Sequence, residues 1–185
     1  VYGSDIPIAC VGVISKVNMV FMAICIGISQ GSQPIWGFNY GAKKYDRVRQ
    51  AYRYSVTACT VIATIFFFCF QIFPHQIVGI FGTGSELYFQ FAERYLKIFM
   101  FMTFANGIQP VSSSFFTSIG MAKLGIVMSL TRQVIFLLPL IIIFPLFMGI
   151  DGVMYAGPIA DAAAFVLAIV FARRELGKMR SAEIA

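Results

Sequence analysis

Lys16, Asn106, Gln109 and Asp161 stand as polar side chains inside long apolar stretches. A charge at the centre of a membrane-crossing helix costs roughly 2.5–3.5 kcal/mol on insertion scales, so such a residue has to face a partner or a water-filled cavity. Asp161 is the only carboxylate well inside such a stretch. By helical rise it lies about 12 Å below the outer end of its helix. A lone carboxyl there suits a proton carrier, and suits equally well a structural bond to a neighbouring helix. Lys16 is a conceivable ion-pair partner for it; the alternative is a lysine that snorkels from a shifted helix register. Arg132 stands nearer the inner end of its stretch and is expected to snorkel or to bond loop carbonyls. Asn106 and Gln109 offer polar groups to a cavity.

Enzymatic patterns are missing. The chain has no GxSxG, no HExxH, no P-loop and no paired intramembrane Asp, and it holds a single histidine. That residue, His75, follows Pro74 in an outer joint and reads as a solvated loop residue. Cys10, Cys25, Cys59 and Cys69 all fall inside apolar stretches without a CxxC pair, so they read as small buried thiols rather than disulfides or metal ligands. Neither a metal nor a cofactor is expected, and the chain reads as not an enzyme. With no ATP-binding module present, a primary pump would need another chain.

The elements that must hold these groups follow from composition. The chain is 59% hydrophobic and 12% charged, with a mean hydropathy of +0.82. Soluble domains average about 45–50% apolar and about 25% charged. The solvent for this surface must be lipid. Five stretches reach the span of about 20 residues that crosses a bilayer: residues 6–30, 51–72, 95–116, 124–148 and 153–172. Together they predict an all-α membrane bundle over residues 1–172 with a cytoplasmic tail over 173–185. The joint after the second stretch carries Pro74, Gly82-Thr83-Gly84 and a Ser85-Glu86 helix start. Gly120 and Gly149 open the next two joints. Ten of the fourteen Lys and Arg residues cluster at one set of ends: Lys43, Lys44, Arg47, Arg49, Arg53, Lys123, Arg173, Arg174, Lys178 and Arg180. The opposite joints carry Asp5, Glu86, Glu93 and Asp151. The positive-inside bias then puts the first residues outside and the carboxy tail in the cytoplasm, in a multi-pass protein of the cell's inner (plasma) membrane. The net charge of +6 is explained by lipid headgroups and insertion bias, and no nucleic acid is implied. The chain starts at Val1 with no signal-peptide pattern and is expected to be part of a longer protein.

The stretch from Gly31 to Arg49 reads as a cytoplasmic joint. Gly31, Gly37 and Gly41 are expected to permit close approach or positive φ, and Asn39 to tolerate a left-handed conformation. Such an elbow is structural, or a hinge if it moves. The run Gly31-x-Gln33-Pro34-Ile35-x-Gly37-x-Asn39-x-Gly41-Ala42, followed by Lys43-Lys44-Tyr45-Asp46-Arg47-Val48, resembles the joint between the second and third helices in the carboxy-terminal half of multidrug and toxin extrusion (MATE) transporters. Gly107-x-Gln109-Pro110, Ser129-Leu-Thr-Arg132-Gln133 and Pro158-Ile159-Ala160-Asp161 resemble that family's tenth, eleventh and twelfth helices in order. The likeness is nearest to the bacterial drug-efflux branch. It implies most of one six-helix lobe of a twelve-helix transporter that works by alternating access, with an amino-terminal half missing from this stretch. In the sodium-coupled branch a carboxylate commonly stands three residues before the matching Gln; here Asn106 takes that position.

The resemblance implies a cation-coupled antiporter that exports organic cations or hydrophobic drugs, with H+ or Na+ as coupling ion and membrane lipid around it. Phe99, Met100, Phe101, Met102 and Phe104 form a flexible aromatic stretch suited to flat cations, although most such residues face lipid or other helices. Pro139 and Pro145 are expected to kink the fourth helix. A lipid-linked oligosaccharide flippase of the same superfamily is the first alternative, and a cationic cavity would favour it. A non-transporting membrane scaffold is the second; uncompensated polar residues inside the helices argue against it.

Overall fold

The computed structural model describes residues 5–81 and 84–184. Gly82 and Thr83, part of the expected outer joint, lie outside the described residues, as do residues 1–4, the side chain of Asp5, and Ala185. In chain order the helices are α1 (Asp5–Gly41), α2 (Tyr45–Ile72), α3 (Pro74–Phe81), α4 (Glu86–Phe99), α5 (Thr103–Asn106), α6 (Ile108–Ser118), α7 (Ala122–Leu130), α8 (Leu138–Met148) and α9 (Ile150–Ile184). A π-helical segment, Thr131–Leu137, joins α7 to α8. No strand occurs among the described residues.

Four runs are long and apolar enough to cross a bilayer: Ile8–Gly41, Tyr45–Ile72, Ala122–Met148 and Asp151–Ala182. The fifth crossing is the broken run from α4 to α6. Near its start Arg94 pairs with Asp151 at the beginning of α9, at 3.6 Å. At its end the Ser118 carbonyl oxygen lies 3.3 Å from where a Cβ on Gly37 would stand, near the far end of α1. The run therefore connects opposite faces of the bundle. Apolar surface is left facing outward throughout: α8 buries none of its side chains, and Phe147 is 83% exposed. Only a lipid-facing or partner-facing helix tolerates that.

The glycine-rich stretch is not a loop. α1 stays helical through Gly31, Pro34 and Gly37 to Gly41, so the first span is longer than residues 6–30. In lipid an unpaired backbone group costs several kcal/mol, so the ladder persists through residues that would end a helix in water. Ser32 bonds back to the Ile28 carbonyl at 2.8 Å and across to the Ser55 hydroxyl at 2.8 Å, anchoring this part of α1 to α2. The turn comes later, at Ala42–Lys44. The Lys44 amide donates to the Asn39 carbonyl and the Lys43 amide to the Tyr40 carbonyl, with Lys43 at φ 56°. This is a Schellman cap with lysine where glycine is usual. None of Gly31, Gly37 and Gly41 takes positive φ, and Asn39 is helical, its side chain donating to the Ile35 carbonyl at 2.7 Å. Gly120, at φ 86°, closes α6 in the way a C-terminal glycine should.

The third span also departs from the expected residues 95–116. α4 starts at Glu86, capped by Ser85, whose hydroxyl accepts from the Tyr88 amide at 3.4 Å. The chain then turns at Met100–Met102 and again at Gly107. The last span runs on as helix through the expected tail, to Ile184. His75 is in α3 rather than a loop; it stacks on Phe89 and bonds Glu93 at 2.7 Å. Two apolar cores hold the spans together. One includes Trp36, Tyr52, Phe115 and Ala168; the other includes Ile14, Phe70, Leu96 and Met154. Along α9, Asp161 falls between them.

Candidate functional site

Three irregular pieces of backbone converge in the layer between the two cores. The turn at Gly107 comes first. A Cβ there would stand 3.0 Å from the Cys59 carbonyl oxygen of α2, so only glycine lets α6 start this close to α2. The π segment is the second, and Pro139, in the first turn of α8, ends it. Pro139 has no amide to give, so the hydrogen-bond ladder is reset just before it. Pro158 in α9 is the third.

These pieces carry the polar groups. Arg132, in the π segment, donates from Nε to Asp161 Oδ1 at 2.6 Å. Asn106, the last residue of α5, donates from Nδ2 to Asp161 Oδ2 at 2.8 Å. Gln109 donates to the Met128 carbonyl at 3.0 Å, and Ser113 to the Gly125 carbonyl at 2.8 Å, so α6 is stitched to α7 beside the cluster. The Arg132 and Asp161 side chains are 8% and 5% exposed. Both carboxylate oxygens are engaged and the charges cancel, which is how a buried ion pair is tolerated at all.

Asn106, Gln109 and Asp161 are thus brought into one layer. Lys16 is not with them: it is exposed on α1, and the cation on Asp161 is Arg132. The expectation that Arg132 snorkels is overturned, because its guanidinium turns inward to the carboxylate. One signal for this pair was available. Arg132 and Asp161 carry opposite charges on the two arms of the hairpin that turns at Gly149. The resemblance implies a carboxylate at position 106 in one branch of the family; Asn106 stands there instead, yet the Asp161 carboxylate lies against that same side chain. Gly31, Gln33, Pro34, Gly37, Asn39 and Gly41 sit on the far end of α1, apart from the cluster. Met100 is buried, while Phe101 and Phe104 are partly open and edge-stack on Phe67 at 6.1 and 5.6 Å between centroids. No group of His, Cys, Asp and Glu able to hold a metal occurs among the described residues.

A helical bundle with apolar outer faces, five crossings and a neutralised charge pair at its centre defines a multi-pass integral membrane protein. The chain belongs to the MatE family, whose model matches residues 1–150. It is 23% identical over 169 residues to the multidrug export protein MepA of Staphylococcus aureus (strain bovine RF122 / ET3-1), covering 91% of this chain and 37% of that one. The MATE multidrug transporter DinF-BH, solved with a drug bound, is 35% identical with a TM-score of 0.83, over 94% of this chain and 39% of its own. The outward-facing structure of a multidrug resistance MATE family transporter of the MOP superfamily shares the fold at a TM-score of 0.89 and 16% identity, over 97% and 40%. The chain therefore spans about two fifths of the length of the relatives it matches.

Proposed function

We propose that this chain forms one lobe of a cation-coupled exporter of organic cations or hydrophobic drugs, and that Asp161 is the group in this lobe on which the coupling ion acts. The buried Arg132–Asp161–Asn106 cluster carries this reading. Charged residues in the membrane interior are expensive and mark ion and substrate pathways. Asp161 has two rival claimants, the Arg132 guanidinium and a cation from solution. While Arg132 holds it, α9 is tied to the π segment and to the end of α5. When a cation takes the carboxylate, both ties are released. Two ways of tying the same spans give a two-state element that an ion gradient can bias. A proton suits the site better than Na+, because the side chains that reach the carboxylate present N–H donors, whereas hard cations take oxygen ligands.

On the substrate side, Phe67, Phe101 and Phe104 offer open aromatic edges and faces beside the Met100–Met102 turn. They would take up flat apolar or cationic molecules by dispersion and cation–π contact. The drug-export name of MepA and the drug complex of DinF-BH support this substrate class. A flippase for phosphate-bearing lipids needs a cationic cavity, and the buried Arg132 is already neutralised. The pathway would be completed by a second, amino-terminal lobe, with the basic ends of the helices in the cytoplasm.

The test is efflux of ethidium, a flat aromatic cation, from cells making the full-length protein, with and without a protonophore. Efflux that the protonophore stops, and that Asp161→Asn abolishes at unchanged membrane abundance, is the expected result. Export by Asp161→Asn at the wild-type rate, with unchanged ion dependence, would remove Asp161 from the mechanism.

A further inference from the structure

At the basic end of the bundle, the first turns of α2 and the last turns of α9 enclose an arginine-walled cleft. Two adjoining cavities, about 660 and 350 Å³, share Arg49, Arg53 and Arg180 in their walls. The larger adds Asp46 and Tyr54; the smaller adds Arg173 and Leu176. Four guanidinium groups therefore face one carboxylate. That carboxylate, on Asp46, is ion-paired with Arg49 on the same helix. The next acidic residue along α9, Glu175, is engaged by Lys178 at 2.9 Å. The cleft is left with a net positive charge.

Position gives the charge its meaning. α2 and α9 are both spans, and this end is where they leave the apolar layer. Arg173 and Arg180 are two helical turns apart, about 10 Å along α9. Arg49 and Arg53 are one turn apart on α2, about 6 Å. The cleft is therefore basic over the depth of a headgroup layer, and Tyr54 and Leu176 give it an apolar lining. A basic pocket between spans, at headgroup depth, matches a phosphate ester joined to acyl chains. Guanidinium forks bind phosphate oxygens in pairs, with more geometric demand than lysine would impose.

We infer that this cleft is a binding site for the headgroup of an anionic phospholipid. The site lies outside the Asp161 cluster and holds whether or not the protein exports drugs. It differs from general attraction to a charged surface, because it assigns the binding to the arginines of one cleft.

Native mass spectrometry of the detergent-purified full-length protein tests it, titrating phosphatidylglycerol against phosphatidylcholine with the same acyl chains. Each basic residue at an anionic surface is worth about five-fold in affinity. The double substitution Arg53→Gln/Arg180→Gln should weaken phosphatidylglycerol binding by about 30-fold. Arg53→Lys/Arg180→Lys, which keeps charge at the cleft, should retain more of it. Arg174→Gln removes an exposed arginine of α9 outside the cleft walls and should change little. Equal binding of both lipids overturns the inference. So does an Arg174→Gln loss as large as that of the double variant, since diffuse charge would then be the cause. Inorganic phosphate added alone that occupies the cleft as well as the lipid does would make free phosphate the ligand and overturn it too.

Discussion

Replacing one member of the Arg132–Asp161 pair should damage the fold far more than replacing both. The side chains are 8% and 5% exposed and meet at 2.6 Å, so the pair cannot be treated as a surface salt bridge worth about 0–1 kcal/mol. Arg132→Met leaves Asp161 buried with Asn106 alone, and Asp161→Leu leaves the guanidinium with no acceptor. Losing one partner of a buried pair costs about 3–5 kcal/mol. Arg132→Met/Asp161→Leu leaves neither charge, and apolar replacement of a whole buried pair is often neutral or stabilising by about 1–4 kcal/mol. Asn106 then loses its acceptor, which returns a penalty of about 1–3 kcal/mol. The cycle should therefore be strongly non-additive, with a coupling of about 3 kcal/mol or more, at the top of the usual range. Thermal unfolding of the four forms of the full-length protein in one detergent reads it, by the fluorescence of Trp36, which is buried against Tyr52 and Phe115. Additive losses would refute the reasoning, since they would mean that the two charges do not depend on each other. The double variant should also be stable yet inactive in efflux, which separates folding from function.

Lys43→Gly should raise the melting temperature, because a non-glycine residue at φ 56° costs about 1–2 kcal/mol that glycine avoids. Gly107→Leu should lower it by the equivalent of about 1–3 kcal/mol, and Gly107→Ala by less, since any Cβ there presses on the Cys59 backbone. Glu93→Gln should change stability by less than about 1 kcal/mol, because the His75 side chain it meets is 64% exposed; the same thermal assay checks all three.

Composition made the lipid environment and the number of crossings legible, and Gly120 and Gly149 mark real turns. The misreading of Gly31–Gly41 has a physical cause. Glycine and proline end helices where water can take over the freed backbone groups, and lipid offers no such substitute. The depth of Arg132 was misjudged for a related reason. Counting residues from a helix end assumes a straight, regular rise, and the π segment breaks that assumption at Arg132 itself. Which charge meets Asp161 depends on how the spans pack. Local pattern offers Lys16 and Arg132 as equals, and only the arrangement of α9 against the π segment distinguishes them. The cleft at the other end was invisible for the same reason, as Arg49 and Arg180 are far apart in sequence.

Pro158 gives α9 a mechanical property. It cannot donate to the carbonyl of Met154, so α9 is weakest there, and Asp161 lies three residues to the inner side. From Asp161 to Arg180 no proline interrupts the helix, a rod of about 28 Å. A tilt of about 10° at the proline would therefore carry the Arg180 end about 5 Å, while Asp161, close to the pivot, would barely move. Spin labels near Arg180 and on α2 would report such a swing as a change in their separation when Asp161 is replaced by Asn. The geometry is that of a long oar in a rowlock: a small change beside the pivot becomes a wide stroke at the blade, and a grip on the blade resists the change at the pivot.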